Sequence, residues 1–544
     1  MRHALLFILF SALSCALPAQ TAQEFLMPAP DGALLYTAVI APDGGGKFPV
    51  LVERTPYDSK FQTISSLKKS RKRWTDAGYV VVHQHVRGSG KSGGVRYPYD
   101  DERRDGLALL DWIRGRDFYN GEIYLDGGSY CASVHISYLD TNPPDVKGVT
   151  LRVQDVERYN VVFKNGFFKM GLHGGWYLKE YAKNSAIKRD LNLDKATVFP
   201  LTDLSRRVFG ESVPQFDAPL LHPDPNDPFW QTPAGGSEYR GAVAKSKIPI
   251  LLVSSFYDIY TQGIIEMWRG MPAEKRAKCA FIITPYTHNV NRGAVEFPNA
   301  APDKICPDYI VNWFNHIRTG EPLRFAEAGK AKWYTLWENK WHSAPDIANA
   351  PKRVEFFLNA DRSLGKSPSA RGEITYKYDP RNPAKFNGGV CNAFGGMKEQ
   401  AAPNSRPDII SFVSEPFEEN TVAEGAMRVR LRVKSDCPDT CFYVRADIVR
   451  SGGKTYSLRD DIDSIRRTHK DYKPGAEVDM EYVFADHSFM FEKGDRLRLD
   501  VSSSCVPSFS VHTNRAGNQF TQPDPQTATN TIIAGESSIT LFTK

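Results

Sequence analysis

Apolar positions along this chain follow two rhythms, and the change between them divides it. In the first half, short runs apolar on both faces recur: Phe48 to Arg54, Tyr79-Val-Val-Val-His-Gln-His-Val86, Glu122-Ile-Tyr-Leu-Asp126, Ile248-Pro-Ile-Leu-Leu-Val253 and Cys279-Ala-Phe-Ile-Ile283. Strands of that kind belong inside a parallel sheet covered by helices. Between them lie helical patterns: a basic one closing over Arg73 to Gly78, and one over Asp101 to Arg114 in which Leu107, Leu110, Trp112 and Ile113 sit among charges. Strand, helix, strand, glycine-rich turn and helix predict an α/β fold with right-handed crossovers. Ahead of it, Ala33 to Ala41 reads as a strand forming a hairpin with Phe48 to Arg54.

Past a closing helix over Ile310 to Ile317, the rhythm becomes strict alternation. Met427-Arg-Val-Arg-Leu-Arg-Val433 and Arg496-Leu-Arg-Leu-Asp-Val501 each present one buried and one solvated face, with turns such as Ser451-Gly-Gly453 between strands. That predicts a β-sandwich. A third texture separates the early strands from Ile248: aromatics crowd with glycine (Tyr159, Phe163, Phe167, Phe168, Trp176, Tyr177), followed by lysine-rich helical segments and a proline-rich passage. It reads as a mostly helical insertion. The expected partition is a leader over 1–22, an α/β domain over 23–144 and 247–325, a helical cap over 145–246 and an all-β domain over 326–544.

Composition narrows the class. With 544 residues, 41% hydrophobic and 12% aromatic, the chain can bury two or three cores. A net charge of +6 spread over 69 basic and 63 acidic residues lacks the basic stripe that phosphate backbones require, so nucleic acid is not an expected partner. Met1-Arg-His, an apolar run from Ala4 to about Ala16 and small residues at Ala19 and Ala22 have the layout of a secretory signal peptide. Export to the periplasm or the medium is therefore expected. The run is too short for a permanent membrane anchor, and no later stretch approaches membrane length. Lipid attachment at Cys15 is an alternative, though Ala12-Leu-Ser14 fits such a signal poorly. Export would allow disulfides among the seven later cysteines, with Cys437–Cys441, Cys279–Cys306 and Cys391–Cys505 as candidates. No C-x-x-C pair suggests a zinc site, and no metal or organic cofactor is expected.

The candidate chemistry centres on Tyr124-Leu-Asp-Gly-Gly-Ser-Tyr-Cys-Ala-Ser133. A serine becomes a nucleophile when a sharp strand-to-helix turn pushes it forward and a base takes its proton. Gly127 and Gly128 before Ser129, and Ala132 and Ser133 after it, are small enough for such a turn, although Cys131 replaces the second glycine of G-x-S-x-G. Arg87-Gly-Ser-Gly-Lys-Ser-Gly-Gly94 lacks the spacing of a phosphate loop, because His85 stands where its first glycine belongs. His83-x-His85 has no evident third ligand and reads as packing. Two further strands end in chemistry: Ser254-Ser-Phe-Tyr-Asp258 and Thr284-Pro-Tyr-Thr-His288. Ser129, Asp258 and His288 thus each follow a strand, in the order Ser, Asp, His, and catalysts in open α/β sheets gather at such strand ends. His288 is the expected base and Asp258 its orienting carboxylate.

Arg54-Thr-Pro-Tyr-Asp58, Val86-Arg-Gly-Ser-Gly-Lys-Ser-Gly93, Gly127-Gly-Ser-Tyr130, Phe256-Tyr-Asp258 and Trp337-Glu-Asn-Lys-Trp341 resemble the Xaa-Pro dipeptidyl-peptidase and cocaine-esterase-like family, which also includes glutaryl acylases and α-amino acid ester hydrolases. The resemblance implies an α/β-hydrolase with a cap and a C-terminal jelly roll, acting on a small ester, amide or short peptide. It also implies an oxyanion hole made by the Tyr57 hydroxyl and the Tyr130 backbone N–H. Two departures stand out: Ala132 replaces the last glycine of G-x-S-Y-x-G, and His85 replaces an aspartate ahead of Arg87. A true dipeptidyl peptidase would need an anionic pocket for the substrate amine, for which Asp155 and Glu266 are the candidates by nearness to these motifs. An inactive hydrolase domain serving as a secreted binding protein is the alternative of another class.

Overall fold

The structure, a computed structural model, describes residues 22–57, 62–155, 157–181, 197–232, 239, 241–391 and 395–544. The expected leader lies outside them apart from Ala22, and Cys15 with it. The first domain is a ten-stranded sheet. Its strands before the cap are β1 (Ala22–Pro28), β2 (Leu34–Ile40), β3 (Phe48–Thr55), β4 (Val80–His85), β5 (Tyr119–Gly128) and β6 (Val146–Arg152). The cap holds a short hairpin, β7 (Phe163–Lys164) with β8 (Phe167–Phe168). The sheet resumes with β9 (Ile250–Ser255), β10 (Ala280–Thr284), β11 (Ala331–Thr335) and β12 (Lys340–Ala344). The spatial order is β1-β2-β4-β3-β5-β6-β9-β10-β11-β12. From β4 to β11 every pairing is parallel, and the outer strands are antiparallel.

Two expectations change. β2 and β3 do not form a hairpin, because β4, buried at every position, inserts between them and pairs with both. The cap does not begin at 145, since β6 pairs with β5 and β9 inside the sheet. The segment after 326 opens with two strands that join the first sheet: β11 extends it by pairing parallel to β10, and β12 closes that edge. The sheet membership of β6 and of β11 is decided by neighbours distant in sequence.

Helices α1 (Ile64–Asp76), α2 (Glu102–Arg114) and α3 (Tyr130–Ile136) connect the early strands. Thr63 caps α1 by accepting the Ser66 N–H, and α1 buries Leu67 and Trp74. The cap is built of short helices around its own aromatic core of Tyr159, Phe163, Phe168, Phe216 and Trp230. The C-terminal domain is a thirteen-stranded, largely antiparallel sheet system. It grips the cap: Lys164 pairs with Asp461 at 3.1 Å, Ser510 N–H donates to Phe168 O while Ser510 Oγ accepts the Phe168 N–H, and Phe520 enters the cap core. Among the described residues no helix is long and apolar enough to cross a membrane. Cys131, Cys279, Cys306, Cys437, Cys441 and Cys505 are free thiols. Cys437 Sγ turns to Thr527 O and Cys441 Sγ to Ser503 O, while Cys279 Sγ accepts the Ile250 N–H inside the first sheet.

Candidate active site

Ser129 sits between β5 and α3 with φ 57° and ψ −133°, a backbone conformation that a residue with a side chain rarely adopts. The turn is held on both sides. Ser129 N–H donates to Arg152 O on β6 at 2.8 Å, and its carbonyl accepts from Ala132 N–H at 2.8 Å. Gly127 is required by close approach, because a Cβ there would lie 2.1 Å from Cys131 O. Ala132 does not need the glycine of the family motif: it lies within α3, fully buried, and has no positive φ.

Asp258 and His288 meet because the loops after β9 and β10 run side by side. Phe256 N–H donates to Thr284 O at 2.8 Å and Tyr257 N–H to Tyr286 O at 3.0 Å. Ser255 Oγ also reaches Asn289, next to His288, so the histidine loop is tied to the end of β9. His288 Nδ1 donates to Asp258 Oδ2 at 2.8 Å, and Tyr260 N–H donates to the other carboxylate oxygen at 3.0 Å. Asp258 is fully buried while His288 retains 26% side-chain exposure. A carboxylate with both oxygens engaged fixes the ring and leaves Nε2 as the working nitrogen. The C-terminal domain braces this loop: Arg459 donates to Phe256 O, Tyr257 OH donates to Ser457 O at 3.0 Å, and His487 stacks on Phe256 at 4.5 Å.

Tyr57 brings its hydroxyl to 3.4 Å from Ser129 Oγ. Its ring is half exposed, yet desolvation at the hydroxyl end, reinforced by neighbouring Tyr99, holds the phenol proton above its ordinary affinity. It therefore stays a donor. As the first residue of α3, Tyr130 has an amide with no intrahelical acceptor. Its side chain is locked beneath: the hydroxyl donates to Glu102 Oε1 at 2.9 Å and accepts from Tyr99 N–H at 2.9 Å, and its ring stacks on Tyr99 at 4.5 Å. Glu102 in turn pairs with fully buried Arg54 at 3.1 Å, and Arg54 Nε donates to Gln84 at 2.9 Å. Burial raises the Glu102 carboxyl, and Arg54 opposes that shift. Tyr57 lies three residues beyond Arg54 on the same strand exit, so one ion pair supports both candidate oxyanion donors.

Asp58 lies outside the described residues, and the charged groups of the second motif are held in pairings of their own. Arg87 is clamped by Asp31 and Asp105 at 2.8 Å each and holds the glycine-rich loop, whose Lys91 ammonium is bound to Glu24 at 2.8 Å. His83 pairs with Glu53 at 3.1 Å, and His85 Nδ1 accepts the Lys91 N–H. Cys131 is half-buried, and burial pushes its thiol up to about 11.

Asp155 and Glu266 both reach one cavity of about 220 Å³ where the cap, the first sheet and the C-terminal domain meet, and Asp258 forms part of its wall. Reasoning from the sequence missed Glu102, Tyr99, Tyr260, Arg158 and Lys169 as neighbours of the site. None carries a local signal: Lys169 stands in an aromatic stretch, and Tyr99 shows its role only through φ 68° and its stacking.

Residues 31–290 match the family model for the X-Pro dipeptidyl-peptidase (S15 family), and 320–539 match that of its C-terminal non-catalytic domain. The chain is 25% identical to cocaine esterase from Rhodococcus sp. (strain MB1 Bresler), covering 91% of this chain and 93% of that protein. Among solved structures it shares its fold with an α-amino acid ester hydrolase (TM-score 0.83, 20% identity, 96% and 97% covered). An aminopeptidase from the marine sediment archaeon Thaumarchaeota archaeon has the same fold (TM-score 0.79, 20% identity, 96% of each chain covered).

Proposed function

Since this chain is a serine hydrolase of the X-Pro dipeptidyl-peptidase S15 and cocaine-esterase family, we propose that it cleaves an acyl ester or amide through an acyl-enzyme on Ser129. The observation that carries the reading is Ser129 at its strained strand-to-helix turn, with the Tyr57 hydroxyl 3.4 Å from its Oγ. In the proposed cycle His288 Nε2 takes the Ser129 proton as Oγ attacks the carbonyl carbon. The carbonyl oxygen, now negative, accepts from the Tyr57 hydroxyl and the Tyr130 N–H. His288 then gives its proton to the departing alkoxide or amine, and the acyl group remains on Oγ. Water repeats the sequence in reverse, losing a proton to His288 and releasing the acid and free Ser129. Asp258 stabilises the imidazolium through the 2.8 Å bond at both stages.

A second reading, removal of Xaa-Pro dipeptides, is favoured by the presence of Asp155 and Glu266 on one cavity wall. Hydrolysis of 4-nitrophenyl acetate and butyrate, beside Gly-Pro and Ala-Pro 4-nitroanilides, separates the two. We expect ester turnover that falls by about 10⁴ or more in Ser129→Ala. Prolyl anilides cleaved faster than the esters would establish the peptidase instead, and no difference between wild type and Ser129→Ala would favour a binding protein. We further propose export, supported by the Met1–Ala22 pattern. Protein from the periplasm or medium should begin near residue 23, and cytoplasmic protein retaining Met1 would reject this.

A further inference from the structure

Tyr57 presents its hydroxyl to Ser129 from an exposed position, 46% of the residue being open to solvent. Its ring meets Tyr130 edge-on at 6.4 Å, a contact on one side. The backbone supplies the rest of the constraint. The peptide that joins Pro56 to Tyr57 is engaged at both polar ends: the Tyr57 N–H donates to Thr55 Oγ1 at 3.1 Å, and the Pro56 carbonyl accepts from Arg96 Nη1 at 3.0 Å. A peptide plane is rigid, so fixing both ends sets the direction in which the Tyr57 side chain leaves the chain.

Arg96 turns its second terminal nitrogen to the cap. Nη2 donates to Glu180 Oε2 at 3.2 Å, and the guanidinium lies 4.8 Å over the Tyr181 ring. Both partners stand at the end of the cap helix Gly175–Tyr181. Only 11% of the Arg96 side chain and 23% of Glu180 are exposed, so the pair is sheltered from the screening that weakens surface ion pairs. The glycine-rich motif makes room for this arrangement: Gly88 has φ 64°, and a Cβ there would lie 2.5 Å from the Arg96 backbone nitrogen. A guanidinium suits the position because its planar fork serves a carbonyl and a carboxylate at once, which a single ammonium does less rigidly.

We propose that Arg96 is a positioning residue for the Tyr57 oxyanion donor: anchored to the cap through Glu180, it holds the Pro56–Tyr57 peptide so that the phenol hydroxyl faces the reacting centre. The inference rests on the proposed acyl transfer to Ser129 with Tyr57 as a donor. It gives the cap a part in the chemical step, since a cap carboxylate sets the arginine that sets the donor.

A double-mutant cycle on 4-nitrophenyl butyrate hydrolysis by the full chain tests it, with melting temperatures checked against wild type. Arg96→Met should lower kcat by about 10- to 100-fold with KM within about threefold, because a misplaced donor costs transition-state stabilisation and leaves ground-state binding in place. Arg96→Lys should fall between Arg96→Met and wild type, and Glu180→Gln should lose about fivefold. The deciding readout is the Tyr57→Phe background, where there is no hydroxyl left to position: there Arg96→Met and Glu180→Gln should each change kcat by less than about twofold. Losses that multiply in the double variants overturn the proposal, as does an Arg96→Met loss carried by KM, since a residue that merely held the cap would act with or without the hydroxyl. Wild-type kcat in both Arg96→Met and Glu180→Gln also overturns it and leaves the role of Tyr57 standing. Should Arg96→Met fail to fold, Glu180→Gln on the two backgrounds decides alone. A Tyr57→Phe enzyme as fast as wild type removes the donor assignment and this proposal with it. Butyrate turnover no higher than the Ser129→Ala background removes the nucleophile as well.

Discussion

Two groups of buried charge support the candidate site, one beneath Tyr130 and one around the loop of Asp258, and they are completed differently. On one side, Arg54, Glu102 and the Tyr130 hydroxyl close on one another through contacts of 2.9 to 3.1 Å. On the other, Lys169 and Arg459 end on carbonyl oxygens around a cavity. A closed cluster has no capacity left for a ligand, and its value is position: it fixes the residues that carry both candidate oxyanion donors. The second group spends its donors on backbone carbonyls, and its value is to brace the loop that carries Asp258. The lesson is that burial of charge alone does not reveal a role; whether the counter-charge is supplied by the fold does.

The comparison can be broken at several points. Glu102→Ala strands the Arg54 guanidinium, and its urea midpoint should fall by the equivalent of about 3–5 kcal/mol, whereas Glu102→Gln keeps an acceptor and should cost less. Tyr57→Phe removes one donor without disturbing the pair, so kcat should drop by about 10²–10³ with the urea midpoint near wild type. A matching loss of stability would make Tyr57 a packing residue. Asp155→Asn sharpens the second group through pH. The Asp155 carboxyl is raised from 3.8 to about 7, so the folded state holds its proton more tightly than the unfolded chain does. Its favourable contribution is complete below pH 3.8 and is lost as pH rises through about 7. The stability advantage of Asp155→Asn over wild type should therefore be small in acid, grow across that window and level off above it, as read by urea titrations at several pH values. The smallest effect is expected for Lys169→Met, which removes a buried ammonium that among the described residues is hydrogen-bonded to Asn160 O and to no carboxylate, and which should leave stability within about 1 kcal/mol of wild type or raise it. A large loss would mean that Lys169 belongs to a closed cluster after all.

The strand runs that are apolar on both faces were readable because parallel strands are buried on both faces, and β4, β9 and β10 are buried throughout. The polar residues after them were readable for the same reason, since a polar residue just past a buried run stands at the mouth of the sheet. The neighbours of the site were not. Glu102 reads locally as the start of an amphipathic helix, and only the return of α3 against α2 brings it to Tyr130. The pairing of β6 and β11 with the first sheet was equally hidden, because any short apolar strand matches several edges until the alternatives are filled.

The amino-acid order therefore determined the periods, the turns and the sequence of Ser129, Asp258 and His288 at strand ends, all properties of local sterics and of solvent exclusion within a few residues. The tertiary structure decided which charges meet and through which acceptors they are held. Lys169 and Arg459 stand 290 residues apart in the chain (459 − 169 = 290) and share one cavity wall only because the cap and the C-terminal domain close over Asp258. Electrostatic compensation depends on distance in space and on the exclusion of water, and neither is written in the spacing of residues along the chain.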